Sequence, residues 1–394
     1  VTTSAAPRAR NRKATIVAAA AELFAARGFA GTAVDEIGAR VGITGPAIYR
    51  HFRGKDALLA AVVMDTVEAF AVSDAAVAAG HERLVEEAVA VALDGPARLV
   101  TYVRERHRLA GEAREALARG ERRLYRPWRD AIRAANPGLA ADAIAVRQRA
   151  VLTAMSAVAA RPQSVGRPRL DRLLVKSMVA VLSVPPVEVP DSAPTSASAP
   201  AGPPAGWSVP PSRRDRILAE ALRLFRSRDY HGVGMDEIGR AAGVSGPTIY
   251  FHYDSKGDLL ADAFDRAGAR VAAAVHDSVS GAASASDALD RLAASYLEIA
   301  AGSGDLILVT SREAAALAES DRPRLARRRG EVLDTWVAVV RELRPDLDEG
   351  AVRAVVGGVL PLMDQAAYAL GDAREGVPLV RAWCLGRSAG PGGC

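Results

Sequence analysis

Residues 35–52 read DEIGARVGITGPAIYRHF, and residues 236–253 read DEIGRAAGVSGPTIYFHY. The match extends outward, without a gap, to residues 12–60 and 213–261 at a constant offset of 201, and about 22 of those 49 pairs are identical. An internal repeat has to be read first, because it sets the architecture. A fainter echo follows at an offset of 208. There Arg104-Glu105 matches Arg312-Glu313, Trp128 matches Trp336, and Pro137 and Leu139 match Pro345 and Leu347. Val151, Leu152 and Met155 likewise match Val359, Leu360 and Met363. The whole unit of about 180 residues is therefore duplicated. Between the copies, VPPVEVPDSAPTSASAPAGPPAGWSVPPS (184–212) is rich in Pro, Ala and Ser and lacks an apolar period, which marks a linker. A flexible chain of that length spans on the order of 30 Å.

Within one copy, residues 10–27 place Ile16, Ala20, Leu23 and Phe24 on one helical face, and Gly28 is a stop. Thr32 is placed to cap a second helix, with Asp35 three residues on. That helix runs to about Val41, buries Val34 and Ile37, and ends at Gly42. Thr44 caps a third short helix through Phe52, with Pro46 tolerated in its first turn. Two short helices joined by a glycine-containing turn and propped by a longer one form the helix-turn-helix plan.

The runs LFAARGF…TAVDEIGARVGITGPAIYRHFRGKDALL and LFRSRDY…GMDEIGRAAGVSGPTIYFHYDSKGDLL resemble the N-terminal signature of TetR-family transcriptional repressors. The resemblance covers about 50 residues per copy and is only loose beyond them. It implies an all-α chain of two tandem units, each a DNA-binding helix-turn-helix domain followed by a helical ligand-binding and dimerisation domain. The corresponding boundaries are 1–54 and 55–183, a linker at 184–212, then 213–255 and 256–388, with a tail at 389–394.

In that fold the third helix enters the major groove, where each base pair shows its own donor and acceptor pattern. Thr44 and Ala47 then lie near base edges, and Arg50 is able to grip guanine bidentately. The resemblance implies phosphate contacts for Tyr49, His51 and Lys55, which position without reading sequence. Plainer alternatives are a packing histidine at 51 and a solvated helix end at 55. Thr32 joins the DNA-side residues, and Arg8, Arg10, Arg12 and Lys13 form a basic arm or a solvated tail. The second copy offers Ser245, Thr248, Tyr250, Phe251, His252 and Lys256 at the matching places. Arg50 becomes Phe251, and residues 1–60 carry about +5 against about +1 for 212–261, so phosphate attraction is stronger in the first copy. Two unlike half-sites follow, or a second reader that binds weakly.

The remaining residues are helical by pattern, with connecting fourth helices at LLAAVVMDTVEAF and LLADAFDRAGARVAAAV. Candidate pocket residues are Leu99, Tyr102, His107 and Leu109 in the first copy and Tyr296, Ile299, Leu306 and Leu308 in the second. Such a lining suits an apolar or amphipathic small-molecule effector. The late helices around Trp128 and Trp336, each with a Pro-containing turn and an apolar helix, have the position of the family's dimerisation pair. One chain thus brings both protomers, favouring an internal pseudo-dimer over a homodimer of chains, with Pro361 expected to kink its helix.

Composition agrees with a globular protein: 49% hydrophobic, 25% charged and a net charge of +5. No apolar run reaches the roughly 18 residues of a membrane span, and the N-terminus lacks the apolar core of a signal peptide. Cys384 and Cys394 cannot build a disulfide framework, so a bacterial cytoplasm, with the protein on the nucleoid, is expected. Phosphate-loop, dinucleotide and metalloprotease signatures are missing, so no cofactor, metal or catalytic residue is expected. The rivals are a helical protein-interaction module whose heads no longer bind DNA, and a ligand-sequestering protein. The expected mechanism is a repressor that double-stranded operator DNA holds until effector arrives.

Overall fold

The computed structural model describes residues 6–186, 212–228, 230–370 and 373–387. Among them every regular element is helical, and no single helix is long and apolar enough to cross a membrane. Most of the expected linker (187–211), the tail at 389–394 and the side chains of Arg8 and Arg10 lie outside the described residues.

The first copy contains α1 (Ala6–Arg27), α2 (Val34–Arg40), α3 (Gly45–Ile48), α4 (Lys55–Ala69), α5 (Asp74–Ala79), α6 (His81–Asp94), α7 (Pro96–Glu105), α8 (Gly111–Ala135), α9 (Ala141–Ala159) and α10 (Arg167–Leu182). The second contains α11 (Arg213–Arg228), α12 (Met235–Ala241), α13 (Gly246–His252), α14 (Lys256–Ser280), α15 (Ala285–Gly302), α16 (Gly304–Arg312), α17 (Arg322–Leu343), α18 (Glu349–Leu370) and α19 (Ala373–Leu385). Helix α5 has no counterpart. Helix α14 runs on for 25 residues where α4 stops after 15. The break in the first copy has local causes. Ser73 caps α5 by accepting the Ala76 amide at 3.1 Å, and Gly80, at φ 95°, turns the chain into α6.

In each head the apolar face of the first helix is buried: Ile16, Ala20 and Phe24 in α1, Ile217, Ala221 and Phe225 in α11. Gly42 (φ 70°) and Gly243 (φ 67°) take the left-handed turn between the two short helices, a conformation that side chains with a Cβ rarely adopt.

Two local expectations need correction. Thr32 does not cap α2. Its hydroxyl turns inward and donates to the Gly28 carbonyl at 2.9 Å, and the side chain is 2% exposed. The N-cap is Ala33, whose amide donates to the Glu36 carboxylate at 2.9 Å. The third helix of the first copy also stops at Ile48 rather than Phe52, whereas α13 continues through His252.

The two copies meet along their last helices, with α9 against α18 and α10 against α19. Val158 of α9 is buried beside Gly357 of α18. Close approach depends on small residues. A Cβ added at Gly350 would sit 2.5 Å from the Ser164 hydroxyl, and one at Gly357 would sit 3.1 Å from the Arg161 guanidinium. Helix α18 passes through Pro361 as one element instead of breaking there. Proline has no amide hydrogen, so the Gly357 carbonyl four residues back loses its helical partner. Arg161, from the other copy, donates to that carbonyl at 3.4 Å, and burial lowers its pKa to about 10. At the other end of the bundle, Arg169 pairs with Asp348. Arg147 anchors the chain that leaves α10 by donating to the Val184 and Pro185 carbonyls.

Gly357→Leu should therefore overpack the junction between the copies. A loss of about 1–3 kcal/mol in urea unfolding is expected; an unchanged midpoint would show that α9 and α18 do not pack this way.

Candidate nucleic-acid interface

The turn after α2 presents α3 on the surface of the first head. Thr44 and Arg50 are exposed there, Tyr49 is 56% exposed, and Ala47 and His51 are half-buried. In the second head Ser245 and Tyr250 are exposed, Thr248 and His252 are half-buried, and Phe251 is 86% exposed. Packing rather than charge explains why each face points outward. Ile48 and Ile249, one turn after the N-cap, are buried and anchor the inner side. Ser245 and Thr248 share a hydroxyl–hydroxyl hydrogen bond of 2.7 Å, so the second head presents its hydroxyls as a pair. Thr32, being buried, has no surface to offer a nucleic acid.

The lysines at the start of the fourth helices have another use. Lys256 donates to the Tyr230 carbonyl at 2.7 Å and the Val233 carbonyl at 2.8 Å, with its ammonium 4.4 Å from the Tyr230 ring centroid. Lys55 donates to the Ala30 carbonyl at 3.4 Å and lies 4.5 Å from the Phe29 ring centroid. Partial burial lowers the Lys55 pKa. Each lysine ties the loop after the first helix to the fourth helix. Neither lysine is therefore a simply solvated helix end.

The second head also consumes cationic side chains internally. Arg266 pairs with Asp215 at 2.6 Å and Asp262 at 3.1 Å, Arg214 pairs with Asp262 at 3.3 Å, and Tyr253 donates to Asp262 at 2.6 Å. Hydrogen bonds from Ser212 and Arg266 hold the Asp215 pKa at about 2. The first head has Ala14 and Ala61 where the second has Asp215 and Asp262, and Lys13 instead lies 5.2 Å from the Phe52 ring centroid.

The recurring Arg-Glu pair is not a pair with itself. Arg104 donates to the Ala25 carbonyl at 3.0 Å, while buried Glu105 accepts the Phe29 amide at 3.2 Å and the Arg108 guanidinium at 2.7 Å. Thr101 adds a hydrogen bond to the Ala21 carbonyl at 3.1 Å. Helix α7 therefore grips the C-terminal half of α1 through one face. In the second copy, Glu313 accepts the Tyr230 amide at 3.4 Å, and Arg226 pairs with Asp305 at 2.6 Å. Only the repeat of Arg-Glu marked these positions in the sequence; the contact itself spans 76 residues.

The opposite face of α7 lines a cavity. It is narrow, about 40 Å³, among Leu99, Tyr102, Tyr125, Trp128, Leu152 and Met155. Tyr102 donates to Glu121 at 2.5 Å and lies 3.0 Å from the Tyr125 hydroxyl, and burial raises the pKa of both phenols. Of the four expected pocket residues, Leu99 and Tyr102 line it. His107 is exposed, and Leu109 is buried in the core. The second copy has a larger and more open cavity of about 320 Å³, lined by Tyr296 but not by Ile299, Leu306 or Leu308. Helix α16 turns Ile307, Thr310 and Ser311 toward it instead.

Lys256→Met should cost about 1.5–3 kcal/mol of stability through the lost charge-assisted hydrogen bonds. Chemical denaturation checks this, and an unchanged midpoint would return Lys256 to solvent.

Comparison with known proteins bears on the same segments. The family model described as bacterial regulatory proteins, tetR family, matches the chain twice, at residues 16–62 and 217–263. The HTH-type transcriptional activator FasR of Mycolicibacterium smegmatis is 49% identical over 47 residues, which is 12% of this chain and 22% of FasR. The biofilm operon icaADBC HTH-type negative transcriptional regulator IcaR of Staphylococcus epidermidis is 30% identical over 46 residues, 12% of this chain and 25% of IcaR. A TetR-family transcriptional regulator from Bordetella parapertussis superposes with a TM-score of 0.39 at 22% identity, across 42% of this chain and 93% of its own. The chain thus spans about a quarter or less of the length of these two curated relatives. The family's N-terminal domain is thus matched twice within the chain, once in each head.

Proposed function

We propose that the chain is a ligand-responsive DNA-binding regulator whose two unlike reading heads share one body. It would act in the bacterial cytoplasm on operator DNA, as an internal pseudo-dimer. The observation that carries this reading is the packing of α9 and α10 against α18 and α19 within one chain. That junction occupies the surface through which two separate protomers would otherwise pair. The domain boundaries of the sequence reading, close to Lys55, Leu182, Arg213 and Lys256, fit two such units.

With no effector, the heads occupy successive major grooves about 34–36 Å apart. Occupancy there represses by excluding polymerase. Arg50 reads guanine in one half-site, with Thr44 and Ala47 beside it, while Tyr49 and His51 hold phosphates. Phe251 and Thr248 give the other half-site a more apolar reader, assisted by Ser245, Tyr250 and His252. An effector in the cavity displaces α7, and α7 carries the head with it through Glu105, Arg104 and Thr101. Operator and effector then oppose each other by the same factor, as linkage requires.

Selection from random duplexes with the full chain tests the reading. An asymmetric motif with two unlike half-sites one helical turn apart is expected. A palindrome would mean that separate chains pair through one head, and no enriched motif would favour an interaction module. On the selected duplex, Arg50→Ala should cost about 1–3 kcal/mol of discrimination at one guanine; equal loss on every sequence would remove Arg50 from base reading. Glu105→Gln should leave effector binding intact and bring the coupling factor, typically 5–150-fold, close to one. Unchanged coupling would exclude α7 as the transmitter.

A further inference from the structure

The two cavities occupy equivalent places in the repeat but differ in charge. At the offset of 208, Leu152 corresponds to Leu360 and Leu124 to Val332, and all four line their cavities. On the same helix, however, Glu121 of α8 corresponds to Arg329 of α17, and Gly120 to Arg328. Glu121 is satisfied from within: Tyr102 donates to it at 2.5 Å, and Arg106 lies 3.7 Å away. The first cavity consequently presents aliphatic and aromatic carbon together with two phenol hydroxyls.

In the second cavity most charges are already matched. Asp265 pairs with Arg328 at 3.0 Å and also with Arg324, and Asp321 lies 3.4 Å from Arg324. Asp364 accepts hydroxyl hydrogen bonds from Tyr296 and Ser311, each at 2.7 Å; burial raises its pKa. Arg322 donates to the Leu317 carbonyl at 3.1 Å. Arg329 lines the cavity, and its positive charge acts on the Asp364 carboxylate and the Tyr296 phenol without a hydrogen bond to either. It follows Arg322 by two helical turns, so both guanidiniums share one side of α17. Phe264, Ile307 and Leu360 supply apolar wall nearby.

We propose that the second cavity binds an amphipathic anion, its carboxylate or phosphate held by Arg329 and its tail lying against Phe264, Ile307 and Leu360, whereas the first takes an uncharged ligand. The chain thereby has two inputs of different chemical class on one body. This deepens the reading of the cavities as effector sites, and ligand binding tests it without DNA.

Calorimetry on the full chain with dodecanoate, dodecyl phosphate and the short alcohol hexanol separates the classes. Arg329→Glu probes the second cavity, and Leu152→Trp fills the first. Dodecanoate or dodecyl phosphate should bind once per chain, weaken roughly tenfold or more in Arg329→Glu, and be unaffected by Leu152→Trp. Preference between the two anions identifies the headgroup. Hexanol should show the reverse pattern, so each variant's retained ligand proves that it is folded. The proposal is overturned if neither anion binds, if Arg329→Glu leaves anion binding unchanged, or if Leu152→Trp abolishes binding of anion and alcohol alike. Retention of the selected duplex by the same proteins is scored separately. Loss of DNA binding alone would sink the regulator and leave the ligand classes standing.

Discussion

The packing of α9 along α18 is the constraint on which the rest of the molecule depends. Together with α10 against α19 it joins the two units, and it sets where each head sits relative to the other. The junction is asymmetric. Gly350 and Gly357 keep α18 close to the loop after α9, and no mirrored glycines exist in α9, where Asp142 and Arg149 stand at the matching positions. Pro361 frees a carbonyl that Arg161 takes from across the junction. In α9 the corresponding residue is Thr153, whose hydroxyl returns to the Arg149 carbonyl of its own helix at 2.9 Å. A duplicated chain is released from the requirement that a two-fold interface be made of one surface, and these residues have diverged accordingly.

The same release is visible in the heads. Charge in the second is absorbed by the Asp215–Arg266–Asp262–Arg214 network, which fastens α11 to α14. The first has Ala14 and Ala61 in place of the two aspartates and keeps Arg12 and Lys13 exposed. The outward faces of the heads differ as well: Arg50 is exposed in one and Phe251 in the other. Below each head a helix with two working faces connects reader to body. In α7 the residues three and four apart alternate between roles: Leu99 and Tyr102 meet the cavity, while Thr101, Arg104 and Glu105 meet α1.

The all-α plan, the duplication and the buried face of α1 were legible because each is a periodic signal carried by many residues. Single-residue roles were less so, for physical reasons. Thr32 sits one place before the true N-cap, and a hydroxyl near an acid looks the same in sequence whether it caps or turns inward. Lys55 and Lys256 look like free cations until their partners, carbonyls 23 to 26 residues away, are in view. Helix α16 is apolar nearly all round at Leu306, Ile307, Leu308 and Val309, so its phase was ambiguous and Ile307 was missed. The short α5 escaped because six residues hold fewer than two helical turns. Leu99 and Tyr102 were found because α7 has a single well-separated apolar face.

The claim that one chain supplies both halves of the DNA-binding assembly is tested most directly by the mass of the chain–operator complex in native mass spectrometry. One chain per duplex, at concentrations where the duplex is fully bound, is the expected result. Two chains per duplex, with no one-chain species as protein is diluted, would contradict it and make the internal α9–α18 junction irrelevant to DNA recognition.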